Sequence, residues 1–180
     1  MNMKKIDTKK LLGKILVPVL IAATLILIWI VKTHPTSTPI DEQTGIVTDF
    51  ALEATSIDLD ILKEYNLPII IDFGADSCIP CKEMAPVLKT LNAEMQGKAI
   101  IKFVDVWKNG DAAKDFPIQV IPTQVFINDD GTPYVPRDDM EIKFDMYTYS
   151  DTGEHAFTVH QGGLTEAEMR AILIDMGVVE

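Results

Sequence analysis

The chain has 180 residues, of which 47% are hydrophobic and 24% charged, with 27 acidic against 16 basic side chains. That length accommodates one ordinary domain and an accessory segment, and the composition excludes a disordered or fibrous chain. Five lysines fall within residues 1 to 14 beside one acid, Asp7, so the remainder carries 11 basic and 26 acidic residues, a net of −15 that argues against nucleic acid as a partner.

From Leu11 to Val31 the sequence is apolar apart from Gly13, Lys14 and Thr24, and it contains no acid. Ile15 to Val31 alone would reach about 25 Å as a helix at ~1.5 Å per residue, near the lower limit for a bilayer core of ~30 Å. Lys14 and Lys32 can snorkel to extend that reach, and Trp29 suits an interface. Residues 11–31 are therefore expected to form a single-pass transmembrane anchor. The basic residues 1–10 would lie in the cytoplasm and everything after Lys32 outside it. A cleaved signal peptide is the alternative, although Lys32-Thr33-His34-Pro35 offers no small-x-small cleavage site. Residues 32–45, with Pro35, Ser37 and Pro39, read as a polar linker, and residues 46–180 as the exported domain.

Within that domain, Ser56 precedes Ile57, Leu59, Ile61 and Leu62, a spacing that predicts a short N-capped helix ending near Asn66. Pro68 to Phe73 is an apolar run rich in β-branched residues and predicts a strand buried on both faces. Met84, Val87, Leu88, Leu91 and Met95 recur at helical spacing behind Cys78, and Ala99 to Trp107 predicts a second buried strand. Strand, helix, strand in that order implies a parallel pair with a right-handed crossover.

Helical turns are expected at Asp111 to Phe116 and a third strand at Thr123 to Ile127. The turn residues Asn128-Asp129-Asp130-Gly131 then predict an antiparallel return. Met140, Ile142, Phe144 and Met146 alternate, and Ser150-Asp151-Thr152-Gly153 forms a turn before Ala156 to Val159, a pattern that reads as an extra β-hairpin. That hairpin either widens the sheet or offers a docking surface. Thr165 and Glu168 fit a capping box with Leu164 and Met169 as its staple, opening a helix whose Met169, Ile172, Leu173 and Met176 face the core. Trp107 and the methionines are expected in the core or at an interface.

Cys78 and Cys81 are the only cysteines. Placed between a strand and a helix, the first sulfur falls at a helix N-terminus, where unpaired amides and the macrodipole stabilise a thiolate. Cys78 is thus the expected nucleophile and Cys81 the resolving thiol. A zinc site and an inert disulfide are the alternatives. Zinc needs four ligands, and His34, His155 and His160 stand in no paired spacing; a staple across two residues closes too small a loop to stabilise much. No metal is implied.

Asp72-Phe73-Gly74-Ala75-Asp76-Ser77-Cys78-Ile79-Pro80-Cys81-Lys82, with Pro86 five residues after the second cysteine, closely resembles the active-site block of the thioredoxin family. The resemblance runs from about Ser56 to Ile127 and resumes at Gly162, leaving 132–161 as an insertion. It implies an α/β thioredoxin fold, a central mixed sheet flanked by helices, and thiol-disulfide oxidoreductase activity without a bound cofactor. It further implies that Asp72 is a buried carboxylate that takes the proton of Cys81, that Lys102 neighbours that acid, and that Pro122 is a cis-proline facing the disulfide. Ile79, Pro80, Ile121, Pro122 and Gly163, or its neighbour Gly162, would meet substrate. Ser77 and Gly74 depart from the family in lacking aromatics, which removes a flat apolar wall beside Cys78.

The same resemblance implies reduction of disulfides in exported proteins, with electrons from a polytopic membrane donor of the cytochrome c biogenesis type. A disulfide-forming oxidase and a non-catalytic binding module displaying the 132–161 hairpin are the competing readings.

Overall fold

The computed structural model describes residues 48–179. The expected cytoplasmic segment, anchor and linker lie outside the described residues, among which no helix is long and apolar enough to cross a membrane.

The chain enters through a 3-10 turn, Thr48–Phe50, and a short helix α1, Leu59–Lys63. Asp58, not Ser56, caps α1 by accepting the Ile61 N–H at 3.2 Å, and the helix ends before Asn66, which takes a positive φ of 51°. Strand β1, Ile69–Gly74, follows and is buried at every position. Helix α2, Ile79–Glu94, then leads into β2, Ile100–Asp105, which pairs in parallel with β1. A 3-10 turn at Gly110–Ala113 precedes β3, Thr123–Ile127. Strands β4, Asp145–Thr148, and β5, His155–Gln161, and helix α3, Glu166–Asp175, complete the fold.

The five strands form one mixed sheet in the order β2-β1-β3-β5-β4. Because successive side chains leave a strand on opposite faces, the sheet sorts its residues into two apolar layers. Ile70, Ile101 and Phe126 pack with Met84, Leu88 and Leu91 of α2 and Met169, Ile172 and Leu173 of α3. Ile69, Ile71, Phe73, Ile100, Val104 and Val125 pack on the other face, under Leu62 of α1 and the loops that hold Phe116 and Ile118. The capping box of α3 is complete: Thr165 Oγ1 accepts from Glu168 N and the Glu168 carboxylate accepts from Thr165 N at 2.8 Å. Leu164 and Met169 are both buried, as a hydrophobic staple requires.

The turn at Asn128–Gly131 closes, with Gly131 at φ +80°, but the returning chain makes only an isolated bridge from Ile127 to Pro133. The antiparallel return expected for β3 is completed by β5, which pairs with it from Thr158 to Gln161. The alternation from Met140 does not start a strand there; only Asp145–Thr148 joins the sheet, beside β5. Ile142 and Phe144 alternate because they pack on the core, Phe144 meeting the rings of Phe126 and Tyr134 edge-on at 5.5 Å. Trp107 is 66% exposed, so of its two expected settings the core is excluded.

Candidate active site

Strand β1 ends at Gly74, and four residues later Cys78 stands as the N-cap of α2 with an extended backbone. Pro80 suits the first turn of α2, because a proline lacks an N–H that would go unpaired there. Cys81 N–H donates to Cys78 Sγ at 3.3 Å, so the sulfur occupies the position of a capping acceptor. Cys78 and Cys81 are joined by a disulfide, with Cα atoms 5.3 Å apart. The pair is asymmetric: Cys78 is half-buried, whereas Cys81 is 3% exposed.

The Ile121–Pro122 peptide bond is cis, and the Ile121 carbonyl oxygen lies 3.9 Å from Cys78 Sγ. Gly162 N–H donates to Pro122 O at 2.9 Å, fixing the loop after β5 against the proline. A Cβ added at Gly163 would stand 4.0 Å from the Pro80 carbonyl, so that glycine borders the first turn of α2. Ile79, 71% exposed, projects at the rim. A groove of about 410 Å³ adjoins Ile121 and is walled by Trp107, Ile118 and Val120.

Beneath α2, Asp72 is fully buried in β1. Burial pushes its carboxyl up to about 7, partly opposed by a hydrogen bond from Gln124 Nε2 to Oδ1 at 2.7 Å. A carboxyl poised there can take a proton near neutral pH. Asp105, at the end of β2, braces the loop before Cys78 by accepting from the backbone N–H groups of Asp76, Trp107 and Lys108 at 3.0 to 3.1 Å. Burial acts to raise its pKa, but those amides outweigh it and hold the carboxyl below its ordinary value.

The thioredoxin family model matches residues 50–141. The chain belongs to the thioredoxin family. Thioredoxin 1 of Chlorobaculum tepidum is 44% identical over 63 residues, covering 35% of this chain and 62% of that protein. A Staphylococcus aureus thioredoxin is 38% identical over 82 residues, covering 46% of this chain and 77% of its own length. The chain thus spans about three fifths of the first of these relatives. Among solved structures, chloroplastic thioredoxin z superposes with a TM-score of 0.49 at 22% identity, covering 71% of this chain and 94% of that one.

Of the residues expected from the thioredoxin resemblance, Cys78, Cys81, Pro80, Ile121, Pro122 and both glycines gather at one end of the sheet, with Asp72 below them. Lys102 does not join them. It stands opposite Ile71 in the parallel ladder, while Phe103 stands opposite Asp72, so the lysine leaves β2 on the other face of the sheet. Its Nζ donates to Ala51 O at 2.8 Å, and burial brings its pKa down to about 8.

The glycine that replaces a thioredoxin aromatic also has a structural reason. A Cβ at Gly74 would come within 2.9 Å of the Phe103 ring and 3.3 Å of Cys81 Sγ. An aromatic surface beside the disulfide is therefore present, supplied from β2 and set against Cys81. Sequence reasoning missed Gln124, Asp105 and Phe103. The only local signal was a polar Gln inside an apolar strand, which is costly unless it is hydrogen-bonded.

Proposed function

We propose that this thioredoxin-family chain is a thiol-disulfide oxidoreductase that reduces disulfides in exported proteins through Cys78 and Cys81. The observation that carries the reading is the asymmetry of the pair, one sulfur at the mouth of α2 accepting an amide N–H and the other buried one turn further in. In the reduced state that amide and the helix dipole favour a Cys78 thiolate.

The thiolate attacks one sulfur of a substrate disulfide. The substrate S–S bond breaks, one substrate thiolate leaves and is protonated by solvent, and Cys78 is joined to the other half. Cys81 then gives its proton to the Asp72 carboxylate and attacks Cys78 Sγ. The mixed disulfide breaks, the second substrate thiolate leaves, and the Cys78–Cys81 bond forms. Two electrons pass from dithiol to substrate, carried by the sulfurs themselves. The cis-Pro122 backbone and the exposed Ile79 and Pro80 offer an extended substrate segment a seat beside Cys78.

The basic start and the apolar stretch 11–31 support a domain tethered outside the cytoplasm. Pro80 and Asp72 support reduction over oxidation. A reducing site there has to be recharged, and a polytopic membrane donor of the cytochrome c biogenesis type is the proposed source of electrons. Cys81→Ser in the native membrane should accumulate reductant-sensitive mixed disulfides between Cys78 and exported proteins. Capture of nothing contradicts catalysis. A reduction potential near −270 mV, characteristic of thioredoxins, supports reduction, and one near −120 mV contradicts it.

A further inference from the structure

The amide of Gln124 lies at the centre of the buried layer beneath α2. It is fully inaccessible, and its Nε2 sits 2.7 Å from Asp72 Oδ1, 3.1 Å from Gly162 O and 3.4 Å from Met84 Sδ. Met84 is the residue one turn beyond Cys81 on α2, so a single amide spans the acid, the helix of the resolving cysteine and the loop beside cis-Pro122.

The orientation of this amide is determined by its neighbours. Both close oxygen partners are acceptors, a carboxyl oxygen and a backbone carbonyl. Turning the amide over would set its oxygen against both. Protonation of Asp72 could relieve one of those clashes but not the one with Gly162, which has no proton to offer. The Gly162 carbonyl therefore locks Gln124 as a donor toward Asp72 in either protonation state. A fixed donor favours the ionised acid. Without it, a carboxyl in this apolar layer would hold its proton to higher pH and fail as an acceptor for Cys81.

We propose that Gln124 is a positioning residue for the resolving step, locked by the Gly162 carbonyl so that it holds Asp72 ready to accept the Cys81 proton while tying that acid to the loop that seats substrate. This rests on the dithiol mechanism above. The amide touches Asp72 from β1 and Met84 from α2, and the ladder sets Phe103 of β2 and His160 of β5 on the same face of the sheet. His160 stands opposite Gln124 in the ladder with its Nδ1 2.8 Å from the Lys143 carbonyl, and Glu168 of α3 interacts with it electrostatically.

The test follows the two thiolate releases when the reduced full-length chain meets an aromatic disulfide reagent, the first release by Cys78 attack and the second by Cys81 resolution. Gln124→Met keeps the length and removes the donor. The second phase should move its acidic limb up by about one pH unit, a tenfold loss below that limb, with the first phase unchanged. In an Asp72→Asn background the same substitution should add nothing further. An unshifted limb, equal slowing of both phases, or an equal further loss in the Asp72→Asn background overturns the proposal. His160→Gln should leave the limb in place, and a limb that moves with it assigns the titration to the histidine and overturns the proposal as well.

Should Gln124→Met fail to fold, the unmutated chain decides. The Gln124 side-chain amide NMR signals should titrate together with the Asp72 carboxyl carbon, and amide signals flat through that titration contradict the coupling. Absence of any second release in the unmutated chain is a different result, and it refutes the dithiol reading itself.

Discussion

Asp72 and Lys102 are both buried ionisable residues on neighbouring parallel strands, one rung apart, and they meet opposite surroundings. Asp72 faces the layer under α2, where Gln124 donates to it and the same amide contacts Met84 of α2. Lys102 faces the layer under α1 and reaches the Ala51 carbonyl at its edge, in a polar recess with Asp49 and Glu53. The strand period of two assigns chemistry to one face and leaves the other to structure, and a single register step separates the two outcomes.

The difference is sharpest in the pH dependence of stability. The ordinary carboxyl value is 3.8 and the folded Asp72 value about 7, so between them the native state binds a proton that the unfolded state has lost. Stability therefore falls as pH rises through that window and stays lowered above it. Asp72→Asn should stabilise the chain at pH 8 by roughly 4 kcal/mol and hardly at all at pH 4, as read by denaturant unfolding at the two pH values. The same variant should slow resolution of a Cys78 mixed disulfide by about a hundredfold near neutral pH. Loss of stability at pH 8, or an unchanged rate, would break the assignment.

Gly74 tests how tightly the layer around Cys81 is filled. Gly74→Ala presses a methyl into the Phe103 ring and should cost about 1–3 kcal/mol in unfolding experiments, most of it recovered when Phe103 is also replaced by Leu. An unaltered midpoint would mean that the ring does not hold this position.

On the opposite face the effect has the reverse sign. The Lys102 ammonium titrates near 8 when folded against 10.5 ordinarily, so the unfolded state binds more protons between those values. Stability from this residue rises with pH across that window. Lys102→Met should flatten the rise and leave the rate of disulfide reduction unchanged. A rate loss like that of Asp72→Asn would bring Lys102 back to the chemistry.

These contrasts also explain what the sequence disclosed. Strand β1, helix α2 and the α3 capping box were legible because each is written in neighbouring residues: an apolar run, a helical period, a Thr-x-x-Glu spacing. The cysteine pair was legible for the same reason. Lys102 was misplaced because resemblance aligns letters, whereas a strand distributes them between faces. Gln124 and Asp72 are 52 residues apart in sequence and meet only through strand pairing, so nothing local joins them. The turn residues Asn128–Gly131 announced the antiparallel return of β3, but its register against Thr158–Gln161 of β5 is set by tertiary pairing that no neighbouring residues encode.

The central claim concerns the two sulfurs, and alkylation of the reduced chain against pH tests it most directly. Cys78 alone should react, with half-maximal rate at a pH well below ~8.5, the ordinary thiol value, while Cys81 stays protected. Equal modification of both cysteines with an ordinary thiol titration, or no modification of either, would contradict the account.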